Sequence, residues 1–535
     1  MAAPPKPDVA AIPAPARTAA AKPDLRRALG ASPRVQFFCE DSPLKLLPFV
    51  LLTTVGAPVM AQPMNMPGMS MPAPGKAAPA KPKKPAKKAA RKATPATPPA
   101  KMAPAAPAKP TESVTTDHGQ MAMPAEGADQ SQANHSTMPG MQMGQPGHDH
   151  GAMEMSAALG PYPMQREASG TAWQPDNSEH EGLIRTSGDW TLMAHGVLNL
   201  VYGHQSGPRG DDKAFAAGML MGMARRPLGN GTLQFKAMVS PDPIMGPSGY
   251  PLLLASGETA NGVDRLTDRQ HPHDFFMELS AAASQNIGRK SSVFVYAGLP
   301  GEPAFGPPAF QHREAIADSP EAPITHHWLD STHISFGVVT GGIVLDRLKL
   351  EVSRFNGREP DQHRWDIETA PLDSTSLRLS WNPTASLALQ GSWGHFVDPE
   401  HLEPGIDQKR LSASVLYARE IAPGWKFAGT LAWGRKTVER HNDDAFAAEA
   451  SIKHDNWTVF GRGEITDNRE LTDDHVAYRV GKVSLGAVRD FRIAEHFSLG
   501  AGGLVAVNFV PDALRLPYGS SSPTGMMGFV RLKLH

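Results

Sequence analysis

The most regular feature of this sequence is an alternation of apolar and polar residues that begins near Asp189. Between Asp189 and Tyr202 one set of alternate positions is apolar or small, while the other includes the polar groups. A period of two indicates a β-strand rather than a helix. The stretch is longer than the roughly five or six residues of an ordinary strand, and Trp190 and Tyr202 end its apolar face. It is therefore predicted to be the first strand of an outer-membrane barrel.

The alternation continues to the C-terminus and predicts an all-β fold, a transmembrane antiparallel β-barrel of about 16 strands. The predicted strands are 189–203, 214–226, 231–240, 274–287, 291–299, 331–345, 347–357, 373–382, 385–396, 409–421, 425–435, 444–455, 457–466, 479–490, 497–510 and 524–535. Short turns and longer connections alternate almost throughout, as they do between the periplasmic and outer ends of such barrels. Trp190, Trp381, Trp425 and Trp457 fall at the short-turn end, as an interfacial aromatic girdle requires.

Charged residues share one register of these strands, which is predicted to face the lumen, because a charge on the lipid face costs ~2–4 kcal/mol near mid-membrane. They are Lys236, Glu278, Lys349, Glu351, Arg378, Lys426, Glu449, Lys453, Arg462, Glu464, Lys482, Arg531 and Lys533. The opposite register carries residues such as Leu348, Leu350 and Leu379. A barrel of this width cannot be filled by strand side chains, so water or an inserted loop must occupy it. The proline-rich stretch 300–308 is expected to be ordered and to fold inward.

The N-terminal third has no such alternation. Residues 1–44 are interpreted as an upstream segment before the true translation start, or alternatively as a long basic extension of the signal. Residues 45–61 have the features of a signal peptide cleaved after Ala61, and the single cysteine, Cys39, would be lost with it. Residues 62–185 are predicted to be a disordered Pro/Ala/Lys tether, and residues 186–535 are predicted to form the barrel.

The tether contains Met- and His-rich patches. Their candidate ligands are Met64, Met66, Met69, Met71, His118, Met121, Met123, His135, Met138, Met141, Met143, His148, His150, Met153 and Met155. Thioether sulfur suits Cu(I) and imidazole suits Cu(II), so the patches are expected to bind copper ions weakly and at multiple sites. The alternative is that this composition is inert low-complexity sequence.

Two long loops of the predicted barrel concentrate histidine. His271 and His273 precede the fourth predicted strand, and His326, His327 and His333 lie at the sixth. With Asp274 and Asp330 they could form a site for Cu(II), zinc or nickel at the outer mouth of the barrel. Their spacing matches no specific ligand template. The competing interpretation is that these histidines hydrogen-bond loop backbone and fix the loops against the wall.

Other classes of function find little support. The formal net charge is −1, which argues against nucleic acid as a partner. Ser331 and His333 are close in sequence, but no oxyanion donor, nucleophile turn or dinucleotide fingerprint accompanies them. No catalytic residue or tightly bound cofactor is therefore predicted.

Several phrases, including 218–226, 240–250 and 357–364, resemble an uncharacterised family of proteobacterial outer-membrane β-barrel proteins. Members of that family occur with copper and heavy-metal resistance systems. The resemblance covers about 186–535. The order of signal, Met/His-rich tract and barrel is also similar to the copper resistance protein B family, although the barrel motifs of that family are not matched. The resemblance implies a role in metal resistance and assigns no site residues.

The sequence therefore favours an outer-membrane barrel with a periplasmic N-terminal arm that binds or sequesters periplasmic copper, with export through the barrel as an extension. Its expected partners are the lipid bilayer, metal ions and periplasmic copper-handling proteins. The inward register carries more Lys and Arg than Asp and Glu, which favours sequestration over cation transport. The alternative is a general or anion-preferring porin with an incidental arm. A third reading is a binding protein whose lumen is plugged.

Overall fold

The computed structural model describes residues 156–179 and 182–535. The predicted upstream segment, the signal peptide and every Met or His candidate up to Met155 lie outside the described residues.

Sixteen strands of the described chain form one closed antiparallel barrel. They are β2 (Trp190–Gln205), β3 (Asp212–Leu228), β4 (Gly231–Val239), β7 (Phe276–Gly288), β8 (Ser291–Gly298), β9 (Val338–Leu345), β10 (Leu348–Phe355), β11 (Ser374–Thr384), β12 (Leu387–Phe396), β13 (Gln408–Ala422), β14 (Trp425–Val438), β15 (His441–His454), β16 (Trp457–Asn468), β17 (Tyr478–Ala494), β18 (Phe497–Phe509) and β19 (Thr524–Leu534). Each pairs with the next, and β19 pairs with β2 to close the ring. The predicted fold class and all sixteen predicted strands are confirmed.

Three further strands were not predicted. The short strand β1 (Leu183–Ser187) pairs with the start of β2, and β5 (Tyr250–Thr259) and β6 (Arg265–Gln270) form a separate hairpin between β4 and β7. Strand β9 begins at Val338 rather than at the predicted residue 331, because Ser331–His333 form a 3-10 turn.

The two faces of the wall differ as the alternation predicts. On β10 the side chains of Lys349 and Glu351 are fully buried, whereas Leu348 and Leu350 are 43% and 48% exposed. The predicted inward charges are all buried except Lys426, Lys453 and Lys533, which lie at the short-turn end. A closed barrel with an apolar outer face belongs in a lipid bilayer and has the architecture of an outer-membrane protein.

Two α-helices occur in the described residues, α1 (His326–Leu329) between β8 and β9 and α2 (Asp512–Tyr518) between β18 and β19. No helix in that part of the chain is long and apolar enough to cross a membrane.

Three segments fill the lumen. Residues 156–179 occupy its short-turn end, where the Ser284 hydroxyl donates to the carbonyl of Ala158 over 2.7 Å. The β5–β6 hairpin buries Leu252 completely. The third segment, residues 299–337 between β8 and β9, is called the plug loop here; its proline-rich start folds inward as expected, and the Ala304 N–H donates to Ser353 on β10 over 2.8 Å. Residues 156–179, which the predicted tether included, thus pack inside the barrel.

The plug loop adds carboxylates to those of the wall. Asp318 lies 2.7 Å from Arg531. Glu321 lies 3.3 Å from Arg462 and 2.5 Å from Lys482, and all three side chains are fully buried. The cationic excess of the inward register is thus partly offset by a segment inserted into the barrel, and the register alone does not describe the charge of the lumen.

These contents predict the electrical behaviour of the protein. The full-length protein in a planar bilayer is expected to show no steady conductance of the size that an open sixteen-stranded porin gives. Replacing residues 303–332 by a short Gly-Ser linker should raise the conductance, because it removes the largest insert. Porin-sized steps from the unmodified protein would contradict this expectation.

Candidate metal centre

Three histidines from two separate loops meet inside the barrel. His273 precedes β7, His326 begins α1, and His333 ends the turn that follows α1. One potential ligand atom from each lies within 4.8 Å of the others, and all three side chains are buried. The ring of His333 is 5.1 Å from that of His273 and 5.1 Å from that of His326. These residues lie in the lumen rather than around the outer rim.

The same ring nitrogen is occupied in each of the three histidines. Nδ1 of His273 is 2.8 Å from Asp242, and Nδ1 of His326 is 2.8 Å from Asp330. Nδ1 of His333 is 2.7 Å from the carbonyl oxygen of Asp330 and must donate to it. A partner at Nδ1 fixes the tautomer that carries a lone pair on Nε2. Each of the three rings therefore has a lone pair on Nε2, and the contact at Nδ1 fixes the orientation of the ring.

Two of these nitrogens are buried without a partner. Nε2 of His273 and Nε2 of His333 have no hydrogen-bond partner among the described residues. A buried polar atom without a partner costs free energy and calls for a ligand or ordered water to satisfy it. Burial lowers the pKa of His326, and burial together with its histidine neighbours lowers the pKa of His333 well below the usual value. Both rings are thus neutral at pH 7, the form that coordinates a metal.

Asp330 connects this cluster to the barrel wall. Its carboxylate contacts Arg313 of the plug loop, and Arg313 makes a bidentate pair with Glu449 on β15, with both distances 2.8 Å. The side chain of Arg313 is fully buried. The wall therefore positions Arg313, which holds Asp330, which in turn orients both His326 and His333.

The remaining predicted residues surround the three histidines without joining them. His271 lies 3.1 Å from Glu258 and His327 lies 2.9 Å from Glu359. Asp274 pairs with Arg364 over 3.1 Å, and Asp330 orients histidines. The competing interpretation expected hydrogen bonds to loop backbone, and among the five predicted histidines His333 makes such a bond, to the carbonyl of Asp330. His271 and His327 contact carboxylate side chains instead.

Sequence reasoning missed Asp242 and the role of Arg313. Asp242 lies in the Ser-Pro-Asp-Pro stretch after β4, some thirty residues before His273, and no local pattern connects the two. Arg313 stands between His312 and Glu314 and resembles any charged loop residue. Only the folding of both loops into one lumen reveals what each residue contacts.

Such an arrangement can hold a divalent or monovalent transition metal. Three imidazoles, each hydrogen-bonded to a carboxylate or carbonyl group, form a donor set typical of zinc and copper centres. A metal ion with three such ligands has a further coordination position for water or another ligand. The Met and His candidates between Met64 and Met155 lie outside the described residues, so their geometry does not enter this site.

The fold and its contents define a plugged barrel of the outer-membrane type with a histidine cluster in its lumen. No protein-family model matches the chain, and no curated protein matches it in sequence.

Solved structures with a related plan include an anion-selective porin from Comamonas acidovorans, at 12% identity and a TM-score of 0.40, covering 64% of this chain and 100% of that one. OmpF of Salmonella typhi in complex with daunomycin matches at 10% identity and a TM-score of 0.42, covering 65% and 100%. The outer-membrane channel DcaP of Acinetobacter baumannii matches at 10% identity and a TM-score of 0.37, covering 66% and 100%. Scores of this size carry no information about what the chain binds or transports.

The contact chain from the wall to the cluster predicts a large effect of Arg313→Met. Removing this cation leaves Asp330 and Glu449 buried without their partner, which is expected to cost about 3–5 kcal/mol in the free energy of unfolding. The matched control is Arg479→Met, because Arg479 pairs with Asp467 on an exposed surface. Urea unfolding of the liposome-reconstituted proteins, followed by tryptophan fluorescence, measures both. Equal midpoints for the two variants would contradict the role given to Arg313.

Proposed function

We propose that this barrel binds a transition metal ion at His273, His326 and His333, and that in the cell it contributes to copper resistance by sequestering periplasmic copper. The observation that carries the proposal is the convergence of three buried imidazoles, each held at Nδ1. Histidines with a purely structural role need not lie close to one another. Ligands of one metal ion must bring their nitrogen atoms to a common position.

Two features support copper among the metals that imidazole accepts. Imidazole binds Cu(II) more tightly than most divalent ions of the first row. The Met- and His-rich patches of residues 62–155 have the soft and borderline donors that suit Cu(I) and Cu(II). We propose that these patches form a periplasmic arm that captures copper weakly, and that periplasmic copper-handling proteins exchange metal with it.

The alternative, a general or anion-preferring porin, requires a lumen through which solutes pass. Here the plug loop pairs its acids with the cations of the wall, so few of those cations are left to attract anions. Sequestration needs no continuous pathway. The plugged lumen therefore favours binding over passive transport.

A metal titration tests the site. The purified full-length protein in detergent is titrated with Co(II), whose visible absorption reports coordination by imidazole, and with Cu(II). The variant His326→Ala/His333→Ala is expected to bind one ion fewer and to lose the cobalt absorption, because one imidazole alone is a weak ligand. The control is His401→Ala/His441→Ala, which removes two exposed histidines and should change neither result. Identical stoichiometry and spectra in all three proteins would rule out this site.

A second experiment tests the arm. Deleting residues 62–155 should lower the copper tolerance of the cells while leaving the cobalt absorption of the purified barrel unchanged. The deletion must end at residue 155, because residues 156–179 occupy the lumen. Unchanged tolerance at an equal amount of protein in the membrane would remove the arm from the copper claim and leave the lumen site standing.

A further inference from the structure

We infer a second metal site in the lumen, one for a soft monovalent ion such as Cu(I), in a cavity walled by methionines of β2 and β3 together with His195. The inference extends the proposed function to a different ion and a different set of residues. It does not require that the three-histidine cluster be occupied.

The register of the two strands brings these donors together. Met193 pairs with Met223, His195 pairs with Met221, and Val197 pairs with Met219. Met238 on β4 pairs with Met221 in turn. Directly opposed residues of an antiparallel pair have Cβ atoms roughly 4.5–5.5 Å apart, so their side chains lie side by side. Several thioethers and one imidazole therefore share one patch of the inner wall.

The patch borders a cavity. The cavity has a volume of about 170 Å³, and Met193, Met219, Met221, Met223 and His195 all line it. This volume is several times that needed for one water molecule, so the space accommodates an ion. His312 of the plug loop also lines the cavity, with its ring 6.1 Å from the ring of His195.

Methionine usually serves as adaptable filler in irregular parts of a core. Met219, Met221, Met238 and Met277 pack in one cluster with Ile334 and Phe336, and Met223 packs against it. Met219, Met221 and Met223 differ from Met238 and Met277 because they also line the cavity, where packing does not occupy all of the space around the sulfur. Other lumen-facing positions are polar, as with Ser376, Arg378 and Ser380 on β11, or aromatic, as with Phe460 and Phe529. Four methionines, Met193, Met219, Met221 and Met223, lie together on β2 and β3.

The charges around the cavity do not exclude a cation. Lys236 lies 3.3 Å from Glu278, and Arg531 lies 2.7 Å from Asp318. Lys453 lies 2.8 Å from Glu179 and 3.3 Å from Asp318. Because carboxylates offset these cations, neutral sulfur and nitrogen ligands could hold one positive charge. Thioether donors select Cu(I) over harder ions.

The cavity lies next to the three-histidine cluster without including it. Val197, Met219, Gln311 and Ala317 line both this cavity and a smaller one bordered by His271 and His273. Lys533 and Leu534, at the end of β19, line the first cavity only. An ion arriving from the short-turn end would therefore meet the methionines before the histidines.

Ag(I) is the probe for this site, because it binds soft donors as Cu(I) does and does not change oxidation state in air. The full-length protein in detergent is titrated with Ag(I) alone, and the number of bound ions is compared with that of Met221→Leu/Met223→Leu. The Met-to-Leu exchange roughly conserves volume, so the barrel should fold, and the retention of its heat-sensitive mobility in gels checks this. The control is Met526→Leu, which removes an exposed methionine from the outer face of β19.

The double variant is expected to lose one Ag(I) equivalent, or to bind it at least tenfold more weakly, and to keep the Co(II) absorption of the histidine cluster. The control should match the unmodified protein in both titrations. Every protein retains residues 62–155, so any silver bound there contributes equally. An unchanged Ag(I) titration in the double variant would overturn the inference. Loss of both ions from a folded double variant would also overturn it, because the two sites would then not be separate.

His326→Ala/His333→Ala separates this inference from the proposed function. That variant should lose Co(II) and keep its full complement of Ag(I). If the unmodified protein binds no Co(II) but the methionine variant loses silver, the histidine proposal fails and the second site stands. If the histidine variant loses the same Ag(I) equivalent as the methionine variant, the soft site is not a separate one and the inference fails.

Discussion

The pairing of wall cations with carboxylates from the plug loop is the interaction on which the rest of the lumen depends. Arg462 and Lys482 are fully buried on β16 and β17, and Glu321 reaches both. Buried charges without partners cost several kcal/mol each, so the plug loop stabilises the wall, although Arg462 also pairs with Glu464 on its own strand over 3.0 Å. Such pairs add little net stability compared with apolar packing. They do fix where an inserted segment must lie, because a shifted loop would leave charges unpaired.

The histidine cluster inherits its position from this arrangement. Arg313 lies on the same plug loop, and Glu449 on β15 holds it by two hydrogen bonds. Arg313 in turn contacts Asp330, and Asp330 orients the imidazole rings of His326 and His333. A metal centre usually depends on groups behind its ligands as much as on the ligands themselves. Here those groups are part of the network that keeps the lumen filled, so the fold and the candidate site share one set of contacts.

The barrel strands could be predicted from the sequence because each obeys a local rule. Lipid requires apolar residues at alternate positions of each membrane-spanning strand. The sequences of the sixteen barrel strands therefore alternate between apolar and polar residues with a period of two. Nothing comparable acts on the contents of the lumen. Residues 156–179 and the β5–β6 hairpin bury polar and apolar side chains against many strands, and no periodicity records such contacts.

The histidines of the candidate site could be selected from the sequence, but their arrangement could not. Histidine is uncommon enough that His273, His326 and His333 stand out in the sequence, and their loops were expected to meet at the outer mouth of the barrel. The sequence could not show that His271 and His327 turn toward Glu258 and Glu359 instead. That distinction depends on distances across the lumen. The sequence identified the methionines of β2 and β3 only as strand residues. Their proposed role as ligands depends on the pairing register of the two strands and on the adjacent cavity, which the sequence does not show.

The seam of the barrel shows how its parts must come together. The last strand, β19, pairs with β2 only as far as Leu534 opposite Gly196. Below that point the exposed edge of β2 is covered by β1, from Leu183 opposite Ala194 to Ser187 opposite Trp190. The strand that completes the seam therefore follows within a few residues of the segment that occupies the lumen. Because only a few residues join them, neither the lumen segment nor the seam strand can move far without displacing the other, so closure of the ring and occupation of its short-turn end are coupled by the chain itself.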